Sequence, residues 1–220
     1  KKTLSGISLT VHGGQTLAVI GSTGDGKSSL VSLIARLYDV EKGQIRLNGA
    51  DVRELPQKVL HDRVSFVPQA STLFFGTIRS NLLVGRPDAT DEEIWAALDM
   101  AQASDFIHSL DLGLDSIVEK AGGNFSGGQK QRLCIARALL KEADVYVFDD
   151  SFSALDFKTD AAIRSAMRGR VRDAVTVIVA DLIAVLDNGM LAGLGTHEEL
   201  KDGCSVYRQI IESQLYKEVA

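Results

Sequence analysis

Three short stretches carry residue types suited to handling phosphate. Gly21-Ser22-Thr23-Gly24-Asp25-Gly26-Lys27-Ser28-Ser29 contains the spacing G-x-x-x-x-G-K-S. Glycines let the backbone curl until several N–H groups face one anion. The helix expected to follow, through Leu30, Leu33, Ile34 and Leu37, adds its positive end. An ammonium at Lys27 suits β- and γ-phosphate oxygens, and a hydroxyl at Ser28 suits Mg²⁺. In Val145-Tyr146-Val147-Phe148-Asp149-Asp150, an apolar run of strand length ends in two carboxylates. Ligands of open α/β sheets sit at such strand ends, which places Asp149 toward Mg²⁺ and Asp150 toward an attacking water. In Asn124-Phe125-Ser126-Gly127-Gly128-Gln129-Lys130-Gln131-Arg132, serine and two glycines open a helix and form a second anion site. Two separate anion sites on one chain suggest an ATP clamped between two chains.

These stretches need elements to hold them. Ile7, Leu9 and Val11 alternate with polar residues and predict a strand before Gly13-Gly14. Further strands are predicted at 16–20, around Ile45 and Leu47, at Val64–Val67 before Pro68, at Val145–Phe148, at Val175–Val179 and at Leu182–Leu186. Residues from Thr77 to Leu140 read as almost wholly helical, with Ile94, Leu98 and Ala101 at helical spacing. A helix is expected over about 158–168, and helices close the chain. Strands alternating with helices predict an α/β fold with a mainly parallel sheet.

Composition bounds the function class. At about 100–200 residues per domain, 220 residues make one large domain or two small ones. Hydrophobic residues at 45% and charged residues at 24% exclude a disordered chain. A net charge of −5 disfavours binding to nucleic-acid phosphates. No apolar window reaches the roughly 18 residues that span a bilayer, and the opening Lys-Lys-Thr reads as no secretory leader. Cys134 and Cys204 fit neither a disulfide scaffold nor a zinc site and are expected as reduced thiols.

In this order the motifs resemble the nucleotide-binding domain of an ATP-binding cassette (ABC) transporter, over essentially the whole chain. Gly21–Ser29 matches the Walker A loop, Gln69 the Q-loop, and Phe125–Gln129 the signature. Val145–Asp149 matches Walker B, and Ser153–Asp156 the D-loop. The stretch Gln69–Asn81, with Leu73-Phe74-Phe75-Gly76-Thr77-Ile78-Arg79, is similar to the exporter subgroup, as is Gly195-Thr196-His197-Glu198-Glu199-Leu200. The resemblance implies one domain with a P-loop NTPase (RecA-like) core at about 1–76 and 141–220, an antiparallel β subdomain, and an inserted α-helical subdomain at about 77–140. It implies ATP and Mg²⁺ as cofactors, with the metal at Ser28, Gln69 and Asp149. The nucleotide would meet Gly21, Ser22, Thr23, Gly24, Asp25, Gly26, Lys27, Ser28 and Ser29. From the facing chain of a head-to-tail dimer it would meet Ser126, Gly127, Gly128, Gln129 and Asp156. Asp150, Gln69 and Lys27 would carry catalysis. A transmembrane domain would dock a coupling helix near the Q-loop, where Leu73, Phe74 and Phe75 are either socket or ordinary core. The domain would lie on the cytoplasmic face of the cell membrane without inserting into it.

Three positions depart from that pattern. The family has Glu after the Walker B Asp, and this chain has Asp150, one methylene shorter. A general base must reach within about 2.6–3.2 Å of its proton or act through one water. Asp150 therefore resembles the weakly hydrolysing half of a heterodimeric exporter. The family's switch histidine is expected after Val175–Val179, where Ala180 runs straight into Asp181-Leu182; none of the four histidines fits, and His197 is no substitute. The adenine-stacking aromatic would precede the first strand, and Tyr38 sits instead in a structural Arg36-x-Tyr38-Asp39 stretch. A non-hydrolysing regulatory module and a homodimeric exporter ATPase are the alternatives. A DNA-repair ABC ATPase is disfavoured by the acidic balance and the absence of a coiled-coil insertion.

Overall fold

The computed structural model describes residues 4–21, 24–171, 173–178, 182–195 and 197–218. These fall into two compact units, one of residues 1–61 with 173–220 and the other of residues 62–172.

In the first unit the chain runs through β1 (Thr16–Gly21), α1 (Lys27–Ile34), β2 (Arg46–Leu47), β3 (Ala50–Asp51) and α2 (Gln57–Arg63), which crosses the boundary. Asn48 and Gly49 both have left-handed φ, 50° and 84°, which two-residue hairpin turns require. The β2–β3 hairpin they join is the antiparallel pair expected outside the main sheet. Arg36 braces the chain after α1, donating to Asp39 at 2.9 Å and to the carbonyls of Val52 and Leu55. Tyr38 beside it stands 70% exposed, so the stretch acts through its arginine.

The second unit holds β4 (Val64–Val67), β5 (Gly76–Thr77), α3 (Ile78–Leu83), α4 (Asp91–Met100), α5 (Ser104–His108), β6 (Ile117–Val118), α6 (Gly127–Leu140), β7 (Val145–Phe148) and α7 (Phe157–Arg170). Strands β4 and β7 pair in parallel, from Val64 opposite Val145 to Val67 opposite Phe148. All four residues of β7 are buried, as expected for a strand covered on both faces. Helix α6 buries Leu133, Cys134, Ile135, Ala136, Ala138, Leu139 and Leu140. Close packing marks its outer end, where a Cβ on Gly85 would lie 2.2 Å from the Arg137 carbonyl oxygen.

The chain then returns to the first unit as β8 (Val175–Ile178), β9 (Leu182–Asp187), β10 (Met190–Gly195), α8 (His197–Gly203) and α9 (Ser205–Glu218). Strand β1 pairs in parallel with both β8 and β9, and β10 is antiparallel to β9. Asn188 and Gly189, again with left-handed φ, make the β9–β10 turn. Leu17, Ala18 and Ile183 through Leu186 are buried, and Leu200, Cys204 and Tyr207 of the closing helices pack on this sheet.

Two expectations need correction. Ile7, Leu9 and Val11 alternate half-buried with exposed neighbours but form no strand; among the described residues their segment makes one bridge, Ser5 to Met190. The alternation lays one side of the chain on the protein, whereas a strand also needs a neighbouring backbone to bond. The block from Thr77 to Leu140 is not wholly helical either. Residues 113–115 and 120–122 are single 3₁₀ turns, and β6 pairs antiparallel with β5. Asn124 holds this section out of a helix, accepting from the Glu119 N–H and donating to the Ile117 carbonyl.

Candidate functional site

The glycine loop leaves β1 at Gly21 and enters α1 at Lys27. Gly24 and Gly26 have left-handed φ of 94° and 92°, a curl that a side chain would strain. Lys27 turns its ammonium back along the loop and donates to the Gly21 carbonyl at 2.7 Å. Ser28 is exposed and Ser29 half-buried. Ser22 and Thr23 lie outside the described residues. The geometry gives one cation beside curled backbone at a helix start, an arrangement that receives an anion.

Asp25 is the unusual member of this loop, since a carboxylate repels the anions such loops receive. Its side chain is 8% exposed and turned toward the β9–β10 hairpin, where Oδ1 accepts the Asn188 N–H at 3.1 Å. Gly21 is pressed from the same side: a Cβ there would lie 2.5 Å from the Leu186 carbonyl oxygen and 3.1 Å from Asp25 Oδ2.

The acidic strand end belongs to the second unit. Asp149 is half-buried, and its N–H continues the β4–β7 pairing by donating to the Val67 carbonyl at 3.0 Å. Asp150 is exposed and left-handed, with φ 50°. Its Oδ2 accepts from the Gln69 amide at 3.2 Å, and its carbonyl accepts from the Ser153 hydroxyl at 3.0 Å. Ser151 is fully buried and bonds the Val67 carbonyl, closing the turn that follows.

The Ser-Gly-Gly helix start is capped on both sides. Ser126 Oγ accepts the Gln129 N–H at 3.3 Å, while the Gln129 side chain accepts the Ser126 N–H at 2.9 Å. The Gln129 side chain thus serves as a cap, and Ser126 and Gly127 are exposed at the helix start. On the far side Arg132 donates to the Gln102 carbonyl at 2.6 Å and covers the Phe106 ring. Burial lowers the Arg132 pKa, while Asp156 and Asp105 favour its charge. Asp156 caps α7 through the Thr159 hydroxyl and N–H at 2.7 and 3.0 Å, and these two bonds hold its carboxyl below the usual range.

The structure therefore gathers Gly21, Asp25 and Lys27 in one unit. In the other it joins Gln69 to Asp150, and Ser126 to Gln129. Leu73 is core at 2% exposure, whereas Phe74 and Phe75 are 52% and 79% exposed. The expected switch-loop position, Ala180-Asp181, lies outside the described residues. Sequence reasoning passed over Gln131, which is 4% exposed. Its signal was its place three and four residues before Cys134 and Ile135, on the apolar stripe of α6. Among the described residues no helix is long and apolar enough to cross a membrane.

Known proteins resemble this chain in sequence and fold. The chain is 46% identical over 96% of its length to an uncharacterized ABC transporter ATP-binding protein of Mycobacterium bovis, and spans 38% of that protein. It is 41% identical over 93% of its length to a multidrug efflux ATP-binding/permease protein of the same species, and spans 18% of it. Among solved structures, a bacterial Atm1-family ABC exporter with ATP bound superposes with a TM-score of 0.92 at 36% identity, covering 97% of this chain and 39% of that one. The chain thus spans well under half the length of these relatives. The model of the family described as ABC transporter matches residues 4–153, a stretch that takes in the glycine loop, the capped helix and both aspartates, and on that match the chain belongs to the ABC transporter family.

Proposed function

We propose that this chain is the Mg-ATP-binding domain of an exporter and that it couples ATP binding and hydrolysis to transport by an attached transmembrane domain. The carrying observation is Lys27 as the first residue of α1, directly after the left-handed Gly26, with its ammonium directed along the loop. The Lys27 ammonium and the loop N–H groups bind the phosphates. Ser28, Gln69 and Asp149 supply the hydroxyl, amide and carboxylate oxygens that suit a hard divalent cation. That cation would neutralise charge on the phosphates when bound. The names and structure of the relatives support the exporter reading.

Ser126 and Gly128 face the nucleotide of a second nucleotide-binding domain, and Asp156 completes that face. In this reading the domain runs over 1–220, with a core at about 1–76 and 141–220 and a helical part at about 77–140. Phe74 and Phe75 offer apolar surface to a coupling helix. The domain works at the cytoplasmic face of the membrane.

Asp150 makes this the weaker half of a heterodimer. Its short side chain is engaged by Gln69, which supports a poor general base. ATP turnover of the full polypeptide, alone and with its partner, tests this for native Asp150 and for Asp150→Glu. Near-background native turnover at this site, raised by Glu once the composite site is complete, is the expected result. Brisk native turnover alone would overturn the degenerate half in favour of a homodimeric exporter. No turnover in any pairing would leave a nucleotide-binding regulatory module.

A further inference from the structure

Helix α6 carries an amide where its stripe is otherwise apolar. Gln131 is 4% exposed, and Cys134 and Ile135 continue the same face at 1% and 0%. Burying an amide is unfavourable unless both its ends are bonded. Both are bonded here, and both bonds go to the same turn. Gln131 Oε1 accepts the Ala154 N–H at 3.0 Å, and Nε2 donates to Ser153 Oγ at 3.4 Å.

The turn rests on α6 at other points too. A Cβ on Gly128 would lie 3.2 Å from the Ala154 carbonyl oxygen, and one on Gly127 3.8 Å from Ala154 Cβ. The glycine at 128 thus lets the turn approach, position 127 being in ordinary contact range, and Gln131 fixes its register. The bonding continues, because the Ser153 hydroxyl donates to the Asp150 carbonyl and the Asp150 side chain accepts from Gln69. One chain of hydrogen bonds therefore leads from α6 through 153 and 150 to Gln69. On the opposite side the next residue, Arg132, ties α6 to Gln102 and Phe106.

We propose that Gln131 is a positioning residue that locks the turn 153–156 to helix α6, so that Ser126, Gly128 and Asp156 meet a partner's nucleotide as one rigid piece. Its part in turnover rests on the reading that these residues complete a composite ATP site. The locking itself rests on Gln131, Ser153 and Ala154 alone. A methionine at 131 fills similar volume and bonds neither group. A glutamate keeps the acceptor for Ala154.

The test uses the assembled full-length transporter carrying native chain, Gln131→Met or Gln131→Glu. ATP turnover, binding of a fluorescent ATP analogue, melting temperature and exchange of the Ala154 amide hydrogen are read together. In Gln131→Met the Ala154 amide is expected to exchange about fivefold faster, the share of one neutral hydrogen bond. Turnover is expected to fall about tenfold with analogue affinity within about twofold, and Gln131→Glu to recover most of the turnover. Unchanged turnover in Gln131→Met beside active native protein would overturn the proposal and leave the ATPase reading standing. Turnover and affinity falling in step with the melting temperature would also overturn it, as ordinary loss of fold. If the native transporter has no turnover, the ATPase reading fails, and Ala154 exchange still decides whether Gln131 locks the turn.

Discussion

Gln69 and Asp150 lie 81 positions apart and meet at 3.2 Å because each stands two residues beyond a paired strand end. Val67 and Phe148 are opposite one another at the last rung of the parallel pair β4 and β7. The amide donates to the carboxylate and occupies an acceptor that a water would otherwise use. Asp150→Asn keeps the side-chain shape and removes the charge. Native turnover at this site is expected near background, so Asp150→Asn should lower it by about tenfold or less, short of the roughly 10²–10⁴ of a fully placed general base. ATP affinity should hold within about twofold. Equal turnover in native and variant protein would take Asp150 out of the reaction.

Lys27 directs its ammonium back along the loop to the Gly21 carbonyl. A charge-assisted bond is worth about 1.5–3 kcal/mol, so Lys27→Ala should weaken ATP binding by about ten- to a hundredfold. Calorimetric titration checks this. An unchanged Kd would mean that the loop N–H groups alone hold the nucleotide.

Acid should act on the β2–β3 hairpin. The Arg53 guanidinium and then the Arg53 N–H hold the Asp51 carboxyl down at about 2, against an ordinary 3.8. A lowered folded-state pKa stabilises above the unfolded value and loses that share as pH falls toward the folded one. The stability gap between native and Asp51→Asn should therefore be constant from neutral pH to about 4 and shrink between about 4 and 2. Urea melts across this range check it, and a gap independent of pH would exclude the linkage.

Two glycines should respond oppositely to alanine. A Cβ on Gly85 would collide with the Arg137 carbonyl oxygen, while one on Gly169, inside α7, meets nothing within 4 Å. Gly85→Ala should cost about 1–3 kcal/mol through overpacking. Gly169→Ala should gain about 0.5–1 kcal/mol through helix propensity. Thermal melts should shift down and up by about 2–4 °C per kcal/mol.

Local chemistry was readable wherever it depends on neighbours in sequence. The left-handed glycines of the loop, the Ser126 cap and the buried β7 follow from spacing and residue type alone. Ile7, Leu9 and Val11 misled because alternation reports which side is covered and is silent on whether a backbone partner stands alongside. The β5–β6 pair was hidden in a helical block because two-residue strands carry no period. Gln69 with Asp150 and Gln131 with Ala154 join residues brought together only by packing, which no window of sequence contains.

The hydrogen bond from the Asn188 N–H to Asp25 spans 163 positions and gives the β9–β10 turn an unusual standing. Surface turns are ordinarily where a chain accepts extra residues or a tag, and in this one Asn188 is exposed while Gly189 is buried and accepts the Ser5 N–H. Here lengthening the turn would withdraw one of the donors to the buried Asp25 of the glycine loop. The carboxylate would then lose one of its bonds, be held less firmly beside an incoming triphosphate, and oppose its entry. Insertional tolerance at this hairpin is therefore governed by the electrostatics of a loop far away in sequence, and a tag placed between Asn188 and Gly189 would register as weakened ATP binding in a protein that still folds.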